Sequence, residues 1–263
     1  MFKKFSVFFL TLSVLGVTMF SGAGGSIIPS VHAKEKDSIE SLGLTDEELS
    51  FFPEEVLEKL IEQNAVKKSS FIKSFDLESE ENKEGVSTFS LTDDDITLAG
   101  VAFKVDSDRR GYKKFYLHGA FDWNINPFNK WTDKISIGYP VTTKFFLPMS
   151  KKGKVQEHEN KLLIRGIGEK WREQDYSTTP SDWEAGAGVA AEIDIVRGNY
   201  DQKGYIGQYV YVDEDEKGTT NIKIRYGHSK MSGSPGVSIY PVGLAVSPSW
   251  DVETLDFGLE LKY

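Results

Sequence analysis

Three histidines lie beyond the first 33 residues, and they are the side chains best suited to acid–base or metal chemistry in a chain without cysteine. They are His118, His158 and His228, and no two of them have the spacing of a metal-binding pair. His118 and Asp122 lie on one face of a predicted strand, but their separation of about 13 Å excludes a direct pair. Because a zinc site needs three or four converging ligands, we predict no metal site, no cofactor and no catalytic residue.

The acidic run Asp93-Asp94-Asp95 is the other candidate for cation binding. Three consecutive side chains do not converge on one ion, and the spacing of an EF-hand loop is absent. The run is therefore predicted to be a solvated turn, and calcium binding stays an open alternative.

The stretch from Gly227 to Gly236 contains Ser232-Gly233 in a Gly/Ser/Pro-rich setting. Over about five residues it resembles the nucleophile loop of secreted trypsin-like serine proteases. In that family a glycine two residues before the nucleophile shapes the oxyanion hole, whereas Lys230 holds that position here. A triad also needs a base and an orienting acid, and the histidine motif of the family is absent. We interpret the stretch as a loop between two strands.

Aromatic residues beside amides and carboxylates form the better candidate site. An aromatic ring covers one face of a sugar, while Asn and Asp side chains bond its hydroxyl groups. The predicted ligand-binding residues are Trp123, Asn126, Asn129, Trp131, Trp171, Tyr176 and Trp183. The alternative is that these tryptophans cap the ends of a hydrophobic core.

Residues 1–33 have the pattern of a secretory signal peptide. Lys3 and Lys4 precede an apolar run from Phe5 to Phe20, and Val31-His32-Ala33 has the small-x-small pattern of a cleavage site. The apolar run is shorter than the roughly 20 residues of a membrane-spanning helix. We therefore predict cleavage near Ala33, a secreted protein, and no permanent membrane anchor.

The charge of the chain is concentrated in its first third. The net charge is −9, residues 34–98 carry 18 acidic and seven basic side chains, and residues 99–263 are neutral. Nucleic-acid binding would need a basic face, so we predict no nucleic-acid partner. The shift in composition predicts a domain boundary near residue 98.

Residues 34–67 form the predicted acidic helical segment. Thr45 and Glu48 have the spacing of a capping box, with Leu44 and Leu49 at the positions of a hydrophobic staple. A helical apolar stripe follows Pro53 and must pack on another surface or belong to a detachable pro-segment. Residues 68–98 have little periodicity and are predicted to be a polar linker.

Residues 99–263 alternate between apolar and polar side chains with a period of two. The clearest run is Leu255–Tyr263, in which every second residue is apolar. About ten such segments, separated by turn residues, predict an antiparallel β-sandwich preceded by the short helical segment.

These features favour a secreted, non-enzymatic β-sandwich protein that binds a cell-wall glycan or a protein partner. Two alternatives stay open. One is an extracellular hydrolase with the acidic segment as its pro-segment, for which two carboxylates facing each other in an aromatic cleft would be the sign. The other is a secreted toxin or bacteriocin-like protein, for which a long amphipathic hairpin against the body would be the sign. The oligomeric state does not follow from the sequence.

Overall fold

A computed structural model describes residues 38–75, 95–240 and 243–263. The predicted signal peptide at 1–33 lies outside the described residues, as do Asp93 and Asp94. The fold is mainly β, with 53% strand and 9% helix.

In the described part of the chain, helical residues at 38–40 and two short helices precede thirteen strands. The helices are α1 (Asp46–Leu49) and α2 (Glu54–Glu62). The strands are β1 (Val66–Phe75), β2 (Ile96–Val105), β3 (Tyr112–Trp123), β4 (Thr132–Gly138), β5 (His158–Arg165), β6 (Arg172–Ser177), β7 (Asp182–Glu184), β8 (Gly188–Asp194), β9 (Asp201–Asp213), β10 (Thr219–Ser229), β11 (Val237–Tyr240), β12 (Gly243–Val246) and β13 (Val252–Lys262). A 3₁₀ helix at Val141–Thr143 lies between β4 and β5.

The strands form two large antiparallel sheets and one hairpin. Sheet A has the order β1-β2-β3-β9-β5-β6, sheet B has the order β13-β10-β4-β8-β7, and β11 pairs with β12. The predicted antiparallel sandwich with a helical N-terminal segment is confirmed. The structure has thirteen strands where about ten were predicted, because β1 and β6 are polar edge strands and β7 has only three residues, so none of the three shows a clear alternation.

The main core lies between the two sheets. Alternate residues of each strand point inward, as the period of two requires. The inward residues include Leu98 on β2, Phe121 on β3, Ile206 on β9, Ile224 on β10 and Phe257 on β13. Phe71 of β1 stacks on Phe257 of β13 at 4.7 Å between ring centroids, so the two sheets touch along this side.

The outer face of sheet A is also covered. The other alternate residues of β2, β3 and β9 pack against Leu42 and the helical segment, and Val56, Leu57 and Leu60 of α2 are buried there. Val101 and Phe103 of β2 belong to this second cluster. Because both faces of β2 are buried, its sequence is a continuous apolar run rather than an alternating one.

The capping box predicted at α1 is confirmed. The Thr45 hydroxyl accepts a hydrogen bond from the Glu48 backbone N–H at 3.2 Å, and the Glu48 carboxylate accepts one from the Thr45 N–H at 2.7 Å. Glu48 also pairs with Lys67 of β1 at 2.8 Å. The cap therefore fixes the start of α1 and joins it to the edge of sheet A.

The linker predicted at residues 68–98 needs correction at both of its ends. Residues 68–75 belong to β1, and β2 begins at Ile96, so the boundary near residue 98 falls within sheet A. The sequence of β1 is rich in Lys and Ser because β1 is an edge strand, and charged edge strands are protected against pairing with other chains. The intervening residues 76–94 lie outside the described part of the chain.

Candidate functional site

Five loops meet at one end of the sandwich. They span residues 124–131, 166–171, 195–200, 230–236 and 247–251, and we call this surface the loop end. The strand register places them together: Trp123 pairs with Gln202 and Arg165 with Asp201 in sheet A, while Thr132 pairs with Asp194 in sheet B. In sheet B the loops follow from adjacent strands, whose spacing is about 4.8 Å.

Apolar side chains protrude from these loops. Ile167 is 90% exposed, Trp250 81% and Phe128 80%, and these are the three most exposed large hydrophobic side chains among the described residues. Met231 and Ile125, at 50% and 44%, belong to the same end. Isolated exposed apolar residues are ordinary, but this concentration at one end indicates a contact surface.

Hydrogen bonds join neighbouring loops of this end. The Asn126 amide donates to the Gly198 carbonyl at 3.1 Å, and the Lys130 ammonium donates to the same oxygen. The Lys230 backbone N–H donates to the Asp251 carbonyl at 2.8 Å. The apolar tips are therefore presented on loops that are held by polar contacts at their bases.

A buried polar network supports the loop end from below. The Asp133 carboxylate is fully buried and accepts hydrogen bonds from the Tyr226 hydroxyl, from Nδ1–H of His228 at 2.9 Å and from the Ser229 N–H at 2.9 Å. The indole N–H of Trp123 donates to the Tyr226 hydroxyl at 3.1 Å. These bonds connect β3, β4 and β10 at the strand ends that bound two of the loops, 124–131 and 230–236.

The structure separates the sequence-predicted binding residues. Trp123 is 2% exposed and its ring packs on His228 in the core, so it must be removed from the predicted ligand surface. It lies at the end of a strand beside Asn and Pro residues, which made it resemble a loop residue. The loop that follows carries Asn126, which is exposed, and Asn129 and Trp131, which are half-buried.

The remaining predicted residues lie on different parts of the surface. Trp171 lies at the loop end on the side of sheet A, between Arg165 at 4.6 Å and Lys203 at 4.7 Å from its ring centroid. Tyr176 is exposed on the edge strand β6. Trp183 pairs with Val189 near the opposite end of sheet B, so it does not share a surface with Trp131. A single surface through Trp131, Trp171 and Trp183 is therefore not formed.

The structure also locates the histidines and serines that a protease-like site would need. Nε2–H of His118 donates to the Phe51 carbonyl at 3.2 Å beneath the helical segment, in the middle of β3, whereas Ser232 lies in a loop that follows β10. His228 does pair with an acid, but the neighbouring Ser229 hydroxyl donates to the Thr132 carbonyl at 2.7 Å instead of to a histidine. The geometry therefore agrees with the interpretation of this stretch as a loop.

Sequence reasoning missed Phe128, Ile167 and Trp250. Each of them lies within a turn-type sequence: Asn-Pro-Phe-Asn, Gly-Ile-Gly and Ser-Pro-Ser-Trp. An apolar residue between turn-forming residues does not belong to an amphipathic helix or strand, so the pattern does not predict that its side chain is buried in a core. A large apolar residue within a turn-type sequence was therefore the pattern that could have identified these three positions.

Within the described ranges, no group of three or more His, Cys, Asp or Glu residues is placed to hold a metal ion. No helix of those ranges has both the length and the apolar character needed to cross a membrane.

No protein-family model and no curated protein matches the chain. Among solved structures, a pore-forming protein is similar over 73% of this chain and 91% of its own, with 8% identity and a TM-score of 0.34. The NetB toxin of Clostridium perfringens in its membrane-inserted form is similar over 76% of this chain and 97% of its own, with 10% identity and a TM-score of 0.34. The delta-toxin of Clostridium perfringens covers 76% and 93%, with 9% identity and a TM-score of 0.30. Structural and sequence similarity as low as this does not indicate the function of this chain.

Proposed function

We propose that the chain is a secreted, non-enzymatic binding protein that attaches to a lipid membrane surface through its loop end. The observation that carries the proposal is the position of Phe128, Ile167 and Trp250, whose side chains are at least 80% exposed on three loops of one end. Attachment is peripheral, because the contact uses loop tips.

The shape of the loop end favours lipid over a protein partner. Protein interfaces need a surface that packs closely against its partner, with a buried core and a polar rim. Here the apolar side chains stand on separate loops and alternate with Gly, Pro, Ser and Asn. Single protruding side chains enter the interfacial region of a bilayer without such complementarity. Trp and Phe are suited to that region, and burying one large apolar side chain contributes about 1.5–3 kcal/mol.

The driving force is apolar rather than electrostatic. The five loops carry Lys130, Lys170, Arg197 and Lys230 against the acids Glu169 and Asp251. We expect binding to neutral phosphatidylcholine because the apolar tips provide the main contact, and the excess of two positive charges on the loops adds a smaller gain from anionic lipid.

Flotation with phosphatidylcholine vesicles tests the proposal. The chain beginning at Lys34 should float with the vesicles, and Trp fluorescence should shift to the blue as Trp250 leaves water. The triple variant Phe128→Ser, Ile167→Ser, Trp250→Ser should stay at the bottom of the gradient. The matched control is Val141→Ser, which removes a side chain of 58% exposure at the opposite end of β4 and should float normally.

A wild-type chain that does not float, or a triple variant that floats equally well, would refute membrane attachment. Retention on cell-wall polysaccharide by the wild type, lost in the same triple variant without any vesicle binding, would instead assign the loop end to a glycan. Thermal melts of each variant exclude unfolding as the cause.

Secretion is part of the proposal and rests on the sequence of residues 1–33. The motif Val31-His32-Ala33 leads us to expect that protein recovered from culture medium begins at Lys34 or within a few residues of it. Intact Met1 recovered from the membrane fraction would contradict it.

A further inference from the structure

A small apolar cleft opens on the outer face of sheet A, next to the helical segment. Its volume is about 180 Å³. One wall is the connection between α1 and α2, and the other is formed by side chains of β5 and β9 and by Trp171. The lining residues used below are Phe51, Phe52, Leu163, Trp171, Lys203 and Tyr205.

The rings around the cleft are fixed in place. His118 of β3 lies between Phe52, at 4.0 Å between ring centroids, and Tyr205, at 5.2 Å. Trp171 is held by Arg165 and Lys203, which lie over its ring. The walls are therefore formed before any ligand binds, which is the ordinary condition of a small-molecule site.

One cationic group lines this apolar space. The Lys203 ammonium donates one hydrogen bond to the Ser50 carbonyl at 2.9 Å and carries three N–H bonds in all, so it can donate further bonds to a ligand. Tyr205 contributes its ring to the wall, and its hydroxyl is buried.

The charged groups beside the cleft are poorly hydrated. Burial lowers the pKa of Lys203, with Arg165 adding to the effect and Asp122 opposing it. Burial also raises the pKa of the Asp122 carboxyl to about 6, although Lys203 and Arg165 oppose the shift. Asp122 is therefore a poorly hydrated counter-ion, and a ligand carboxylate that met the Lys203 ammonium directly would form a charge-assisted bond.

We propose that this cleft binds a small carboxylic acid with one aromatic ring or a short branched chain. The ring or chain packs against Phe52, Leu163 and Trp171, and the carboxylate accepts a hydrogen bond from the Lys203 ammonium. An apolar cavity of about 150 Å³ is enough for benzene, so a space of 180 Å³ accommodates one ring with a short acidic substituent. The proposal is independent of membrane attachment.

Isothermal titration calorimetry with phenylacetate, in the absence of lipid, tests the site. Phenylacetate should bind the wild-type chain, and 2-phenylethylamine, which has the same ring but a positive charge, should not. Lys203→Met should weaken phenylacetate binding by about tenfold or more, because it removes the charge-assisted bond. Lys170→Met is the matched control, since it removes an exposed cation of the same end outside the cleft lining and should bind as the wild type does.

Two further variants keep the test decisive if Lys203→Met does not fold. Leu163→Trp fills the cleft and should abolish binding, whereas Asp122→Asn removes the competing carboxylate and should strengthen it. The proposal is overturned if the wild type does not bind phenylacetate, if 2-phenylethylamine binds equally well, or if binding survives in a folded Leu163→Trp variant. Vesicle flotation of Leu163→Trp should be unchanged, which separates this site from the loop end.

Discussion

His118 and Phe52 stack face to face, with ring centroids 4.0 Å apart and ring planes 19° apart. The stack joins the middle of sheet A to the connection between the two helices. Nε2–H of His118 donates to the Phe51 carbonyl, Nδ1 lies 3.4 Å from the Tyr116 hydroxyl, and the ring is completely buried. A protonated imidazole here would place a poorly solvated charge in the interior.

This arrangement predicts that the fold weakens in mild acid. Burial lowers the pKa of His118 to about 3 and that of His158 to about 4, despite hydrogen bonds that favour the charged form. Because the unfolded chain binds these protons near pH 6.5, stability is complete above that pH. It falls as the pH drops towards the folded pKa values, by at most about 1.4 kcal/mol per pH unit for each histidine.

Urea unfolding at about pH 7 and about pH 5 measures this loss. His118→Gln should be less stable at pH 7 and should show a smaller difference between the two pH values. Asp122 acts in the opposite direction, because its raised folded pKa of about 6 makes stability fall as the pH rises from 3.8 towards 6. An equal pH dependence in wild type and His118→Gln would contradict the assignment.

A second prediction concerns the packing of α2 on sheet A. Leu60 is fully buried in the outer cluster, so Leu60→Ala should lower the free energy of unfolding by about 2–5 kcal/mol. Glu58 lies on the exposed side of the same helix, and Glu58→Ala should change it by less than about 0.5 kcal/mol. Similar urea midpoints for the two variants would mean that the helix contributes little to the fold.

A third prediction concerns the network below the loop end. Asp133→Ala leaves the Tyr226 hydroxyl, His228 and the Ser229 N–H without their acceptor, and should cost about 3–5 kcal/mol. Tyr226→Phe removes one donor to Asp133 and the acceptor of the Trp123 N–H, and should cost about 1–3 kcal/mol. Chemical denaturation of the two single variants and the double variant should show strong non-additivity. Additive costs would indicate that the two side chains act separately.

A fourth prediction compares two tryptophans. Trp123→Ala should cost about 3–5 kcal/mol because it empties part of the core. Trp250→Ala should change stability by less than about 0.5 kcal/mol, since this side chain is in water. Thermal melts distinguish the two, and a large loss of stability in Trp250→Ala would count against its role as a protruding tip.

The sequence predicts those helices and strands in which one face is buried and the other is exposed to solvent. The alternation in β13 and the capping box of Thr45 and Glu48 are both local patterns, and the structure contains both. Prediction from the sequence fails for a strand that is packed against other elements on both faces, and for a polar strand at the edge of a sheet. The middle strands of sheet A are buried on both faces, so β2 shows no alternation, and β1 is a polar edge strand that resembles a linker.

The candidate sites were less predictable than the fold, because they depend on which loops become neighbours. The sequence identified the aromatic residues in polar stretches as candidate binding residues. In the structure Trp123 lies in the core, and Trp183 lies away from Trp131. The cleft beside Lys203 joins side chains from the α1–α2 connection, β5 and β9, and no local pattern reveals such a combination.

The covering of sheet A by the helical segment also determines the order in which the chain can fold. Lys59 of α2 pairs with Glu159 of β5, and Lys203 of β9 donates to the Ser50 carbonyl, over separations of 100 and 153 residues. The helices are too short to persist alone, so they acquire a binding surface only after β5 and β9 have joined the sheet. The segment that leaves the ribosome early is therefore among the last to dock, and contacts of such long range make folding slow. A chain that folds in this order stays open until its C-terminal half is available, which is compatible with passage through an export channel before folding.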